Sequence, residues 1–151
     1  MKSGICFENI LLDDNLIELS IIVDDGKSKF SNKVYTVFSD IEQLVKDLKN
    51  FSKAIYGGVT DIQLGGFGPE YASGAFSGRF HFYKPGKLFI SIRMQTNFFD
   101  FGMKNVASEA TLYLISEPSL LDTFIRQLSV IHKSISNNAV LECVTDELYK
   151  L

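Results

Sequence analysis

The stretch from Tyr71 to Ile115 constrains the fold most, because its apolar residues recur at every second position through three consecutive segments. In the middle segment, Leu88–Phe98, Leu88, Ile90, Ile92 and Met94 alternate with Phe89, Ser91, Arg93 and Gln95. That period marks a strand with one face buried and one in water, since successive side chains leave opposite sides of the pleat. In Tyr71–Tyr83, Phe76, Phe80 and Phe82 share a face with Gly74 and Gly78, while Ser77, Arg79, His81 and Tyr83 take the other. Met103–Ile115 completes an expected antiparallel meander.

The turns set the register. Lys84-Pro85-Gly86-Lys87 reads as a type II turn, with Pro presetting φ and Gly taking the left-handed position. A strict two-residue loop would lay the Phe76/Phe80 face against Ser91 and Arg93. A three-residue loop or a bulge is therefore predicted, pairing Phe82 with Ile90 and Phe80 with Ile92. The same parity across Asp100-Phe101-Gly102 puts Leu112 and Leu114 on the buried face with Ile90 and Ile92.

Before the meander, Ile5–Leu12 and Leu16–Val23 read as strands joined at Asp13-Asp14-Asn15, followed by a polar loop to Lys33 and a short strand, Val34–Phe38. The pairs Asp13/Asp14 and Asp24/Asp25 fall at opposite ends of one strand and cannot form one carboxylate site. Ser39-Asp40-Ile41-Glu42 has the form of a capping box. The helix it opens carries Ile41, Leu44, Val45, Leu48, Phe51 and Ile55 on one stripe and stops at Gly57-Gly58. Val59–Leu64 is a further strand. The cluster Gly65-Gly66-Phe67-Gly68-Pro69 is not a phosphate-binding loop, because a strand and not a helix N-terminus follows it. It can still shape one end of a binding surface. Ser116 is the expected N-cap of a second helix, with Pro118 in its first turn and an apolar face running from Leu120 to Ile135. Val140–Val144 reads as a last strand and Asp146–Leu151 as a tail.

These elements predict a single domain over residues 1–151. Its class is α+β: a mostly antiparallel sheet of about six to seven strands, with two amphipathic helices on one face and the other face open to water. A hydrophobic share of 46% suits a packed core, and a net charge of −3 argues against nucleic-acid and anionic-membrane partners. Cys6 and Cys143 stand far apart, which implies neither a disulfide framework nor a zinc site. The N-terminus lacks the apolar run of a signal peptide, and no stretch is long enough to cross a membrane, so a cytoplasmic location is expected.

No spacing of His, Cys, Asp and Glu suits a metal, and no cofactor or catalytic residue is expected. His132 reads as a solvated residue in the last turns of the second helix, beside Lys133. Ser91 and His81 come close on the open face, but a strand-centre serine lacks the strained turn and oxyanion donors of an activated nucleophile. The expected registers place Arg79, Arg93 and Glu109 in one cross-strand row and His81, Ser91 and Thr111 in the next. Two facing arginines then require a shared carboxylate, a role Glu109 can fill. Ordinary solvated polar surface is the simplest account of this face. The candidate partner-binding set is Tyr71, Arg79, His81, Tyr83, Arg93, Glu109 and Tyr113, since Arg and Tyr favour interfaces.

The order of elements carries a resemblance: Ser39-Asp40-Ile41-Glu42 opening a helix, the meander over Tyr71–Ile115, then Leu120–Leu128 as a closing helix. In this layout the chain resembles the small immunity proteins of polymorphic and contact-dependent growth inhibition toxin systems in bacteria. The resemblance implies a non-catalytic cytoplasmic inhibitor that binds a cognate protein toxin, often a nuclease. An acidic chain suits a basic partner of that kind. It supplies no functional residues, so the candidate set rests on the strand pattern alone. Two other accounts stay open: a small-ligand-binding or enzymatic domain with a pocket near Gly65–Pro69, using Tyr71, Arg79 and His81, and a homodimer that masks its aromatic sheet.

Overall fold

Among the described residues, alternating apolar residues build two layers of strands, and two helical stripes help to close the core between them. The computed structural model describes residues 3–54, 57–68 and 74–144. In chain order the elements are β1 (Gly4–Asp13), β2 (Leu16–Asp24), β3 (Lys29–Val37), α1 (Phe38–Ser52), β4 (Val59–Gly65), β5 (Ala75–Lys84), β6 (Lys87–Gln95), β7 (Phe99–Phe101), β8 (Lys104–Val106), β9 (Glu109–Ser116), α2 (Pro118–Leu128) and β10 (Asn138–Glu142). A short 3-10 turn, Ile131–Lys133, follows α2. The expected tail over Asp146–Leu151 lies outside the described residues, as do Ile55 and Tyr71.

The α+β class and the antiparallel pairing hold, but the single sheet does not. The strands form two four-stranded sheets, β10-β1-β2-β3 and β4-β5-β6-β9, and the separate hairpin β7-β8. The break falls at α1: β3 enters the helix directly, and β4 emerges beside β3 without joining its ladder. Nor do the helices share one sheet face. The Phe51 ring of α1 stacks on Phe82 of β5 at 4.6 Å, whereas Phe124 of α2 meets Phe7 of β1 edge-on at 5.5 Å. Phe7 also meets Phe76 of β5 at 5.2 Å, so the inner faces of both sheets and both helices enclose one core. Burying a large apolar side chain stabilises by about 1.5–3 kcal/mol, and Phe7, Phe76, Phe80, Phe82 and Phe124 are all enclosed.

Asn32 ties the sheets at one corner, where its buried Nδ2 donates to the carbonyls of Ala75 and Gln95, both at 2.9 Å. Gly74 passes through the same corner. A Cβ there would lie 2.7 Å from the Gln95 carbonyl and 2.8 Å from that of Lys33, so no side chain fits.

Helix ends differ from expectation for identifiable reasons. The extended Val37 is the N-cap of α1, no side-chain cap bond forms, and Ser39 lies inside the first turn rather than in a capping box. The helix stops at Ser52, before Gly57-Gly58. For α2 the N-cap is Glu117; Ser116 is instead buried at the end of β9, where its hydroxyl donates to the Glu142 carbonyl at 2.7 Å. α2 ends at Leu128, and two asparagine amides take carbonyls of the segment that follows it. Asn137 Nδ2 donates to Val130 and Asn9 Nδ2 to Ile131, each at 3.0 Å. His132 therefore lies on the 3-10 turn, half-buried against Phe38 with ring centroids 4.3 Å apart, and not on a solvated helix end. β3 starts at Lys29, five residues before the expected Val34, since Lys29–Lys33 pair with β2.

Candidate functional site

The second sheet turns Ile62, Leu64, Phe76, Phe80, Ile90, Ile92, Leu112 and Leu114 into the core. Alternation therefore directs Asp61, Arg79, Ser91 and Tyr113 outward as one cross-strand row, and Gln63, Ser77, Arg93 and Thr111 as the next.

These rows differ from the expected ones by a register step. Gly86 takes a φ of +73° in the turn, and Lys84 pairs with Lys87 as in a two-residue loop. The extra residue then enters on β5: the register shifts between His81 and Lys84, so Phe80 faces Ile90 and His81 faces Phe89. The expected bulge is present, but the expected pairs Phe82–Ile90 and Phe80–Ile92 are displaced by two residues. An even displacement keeps every side chain on its face and changes only its neighbours. Leu112 and Leu114 share the buried face with Ile90 and Ile92 as the parity required, but this register too lies two residues from the expected one, with Arg93 facing Thr111 and not Glu109.

The charges pair differently in consequence. Arg79 faces Ser91 and not Arg93, so no carboxylate is shared. Arg79 instead makes two bonds to Asp61 on β4, Nε to Oδ1 at 2.8 Å and Nη2 to Oδ2 at 3.0 Å. Arg93 donates from Nη2 to Glu109 Oε1 at 2.8 Å, along a diagonal of the β6–β9 pair, because Thr111 is its direct neighbour. The Asp61 carboxyl is held below the ordinary aspartate value, chiefly by the Arg79 hydrogen bonds. Each arginine thus has a carboxylate partner on the face, Asp61 for Arg79 and Glu109 for Arg93, and both pairs stand in solvent.

Phe67 adds a contact that strand alternation does not show. Its ring lies under the Arg93 guanidinium, 4.2 Å from Cζ to centroid, and brings the glycine-rich segment onto the Arg93 end of the face. At the other end, His81, Tyr83 and Phe89 form an edge-on aromatic run with centroid spacings of 5.8 Å. Tyr83 and Tyr113 remain 61% and 70% exposed.

Six of the seven candidate residues, Arg79, His81, Tyr83, Arg93, Glu109 and Tyr113, therefore belong to this sheet, while Tyr71 lies outside the described residues. Asp61 and Phe67 join them. Asp61 alternates with the buried Ile62 and Leu64, a signal for the open face, but its pairing with Arg79 depends on which strand β4 joins. Serine and histidine do not come together as expected, because Ser91 faces Arg79 and His81 faces Phe89. Among the described residues no three of His, Cys, Asp and Glu converge as metal ligands. The central rows enclose only a shallow cleft along Asp61, Ser77, Arg79, Ser91, Arg93 and Thr111. No helix is long and apolar enough to cross a membrane.

Compared with known protein families, curated proteins and solved structures, the chain matches none.

Proposed function

We propose that this chain is a non-catalytic, cytoplasmic protein-binding domain, an immunity protein that occupies and neutralises a cognate bacterial toxin through the open face of its second sheet. The observation that carries the reading is the build of that face. Two arginines are paired with Asp61 and Glu109, one of them stacks on Phe67, and an aromatic run from His81 to Phe89 lies beside them. Arginine and tyrosine are residue types on which interface energy concentrates. The cleft along the central rows is too shallow to enclose a small molecule, so the face suits a macromolecular surface better. The acidic balance of the chain favours association with a basic partner such as a nuclease.

Binding of the protein encoded next to this chain tests the reading. Wild type is expected to retain it in a pull-down. Arg93→Glu is expected to weaken the complex at least tenfold, about 1.4 kcal/mol, while the circular dichroism spectrum is unchanged. Undiminished affinity of a folded Arg93→Glu variant rules out this face as the contact.

A further inference from the structure

β9 has an outer edge whose backbone groups can be assigned individually. Thr96 N donates to Ser108 O at 2.9 Å, so even-numbered residues of this ladder direct their backbone groups toward β6. On the opposite side Val144 N donates to Ile115 O at 2.8 Å, so odd-numbered residues direct theirs outward. In an antiparallel strand both groups of a residue point the same way and neighbours alternate. Glu109, Thr111 and Tyr113 therefore direct N–H and C=O to the outer edge of the sheet. Beyond the Ile115–Val144 bridge, no backbone hydrogen bond to that edge forms among the described residues.

Other edges of the two sheets are guarded. On β10, Val140 N donates to Gln127 Oε1 at 2.7 Å, and the Glu142 carbonyl accepts from Ser116. β3 carries Lys29 and Lys33, and β4 runs against both β3 and α1. β9 carries neither lysine nor proline and pairs with β6 without a bulge. Among the described residues this edge is regular and, beyond Val144, unguarded, and such an edge is a template for another strand.

We propose that β9 pairs antiparallel with β9 of a second copy about a two-fold axis, joining the two four-stranded sheets edge to edge. The self-complementarity of the strand points to a second copy rather than to an unrelated strand. A two-fold pairing must oppose outward residues to outward residues, which leaves few registers. Centred on Leu112, it sets Glu109 against Ile115, whose carbonyl Val144 already occupies. Centred on Thr111, it leaves Ile115 outside and sets Thr111 against Thr111, Glu109 against Tyr113 and Ala110 against Leu112. Threonine pairs are favourable across strands, the Glu109 carboxylate can accept from the Tyr113 hydroxyl, and small faces large on the inner side. No like charges face each other. The contact is isologous and closes at two copies. It extends the open face from one protomer to its partner and does not depend on what that face binds.

Light scattering on wild type, from micromolar to near-millimolar concentration, is expected to show a concentration-dependent dimer. Thr111→Pro removes an outward N–H and leaves the β6 ladder intact, so its mass is expected to fall to that of one chain with melting temperature and circular dichroism preserved. A second variant reports the register directly. Opposed residues in a hydrogen-bonded pair lie about 5.5 Å apart at Cα, within disulfide reach, so Thr111→Cys is expected to crosslink under mild oxidation. The parent chain, which holds Cys6 and Cys143, is the control and is expected to stay uncrosslinked. A wild-type monomer at every concentration overturns the proposal. So does a dimer that Thr111→Pro leaves intact, or a Thr111→Cys chain that does not crosslink beyond the control.

Discussion

Asn32 does more for this fold than its exposed neighbours on β3. Its amide satisfies two carbonyls, Ala75 and Gln95, on different strands of the opposite sheet. Asn32→Ala leaves both in a buried corner without that donor, and a loss of about 1–3 kcal/mol in urea unfolding is expected; an unchanged midpoint contradicts the assignment. The Asp61–Arg79 pair acts on charge and position more than on stability, because both groups are solvated. Its sign is nonetheless defined. The folded carboxyl titrates below its ordinary value, so the small stabilisation is complete above that value and disappears as the pH falls through the lowered one. Arg79→Met is expected to return the Asp61 titration upward, followed by carboxyl carbon NMR; no movement means that the hydrogen bonds are absent in solution. Cys143 is a third case. Burial pushes its thiol up to about 12, opposed by the Ser116 hydroxyl, and it is expected to resist iodoacetamide until denaturant is added. At this scale the sequence was informative wherever parity alone decides. Arg79, Arg93 and Tyr113 face outward because their neighbours are apolar. Asp61 as the partner of Arg79, and Phe67 under Arg93, depend on contacts that no local pattern contains.

At the scale of elements, the expectation that Leu88–Phe98 and Met103–Ile115 are two unbroken strands failed in an instructive way. β6 ends at Gln95 and β9 starts at Glu109, and the residues between them form the separate hairpin β7-β8. Apolar residues continue through this region, but Phe101 and Met103 are among the most exposed side chains described. Hydropathy alone cannot distinguish an apolar strand that is buried from one that projects. Thr96 and Ser108 already close the β6–β9 ladder, with Thr96 N on Ser108 O at 2.9 Å and Ser108 N on Thr96 Oγ1 at 3.0 Å. Replacing residues 97–107 by Asn-Gly is therefore expected to leave the domain folded, with a melting temperature within a few degrees of wild type. A large drop would show that the hairpin packs on the core. The helices were legible as stripes but not at their ends: the segment after α2 forms a 3-10 turn whose Ile131 carbonyl accepts from Asn9, a partner 122 residues away that no local pattern contains.

For the whole molecule, the α+β class follows from the two periodicities, whereas the division into two sheets does not. β1 pairs with β10 from the far end of the chain, and the gap between β3 and β4 arises because α1 leads the chain from one layer to the other. Both are non-local choices, made when Phe7 packs against Phe76 and Phe124 in one core. The result is a closed interior behind an open outer face that carries two carboxylate-paired arginines and an aromatic run, and the functional reading rests on that face. Growth of cells producing the adjacent gene's product, with and without this chain, tests it most directly. The account predicts that the neighbour alone arrests growth, that co-production of this chain restores it, and that the two proteins co-purify. Growth arrest that this chain neither relieves nor binds, or a neighbour without toxicity, would contradict an immunity role.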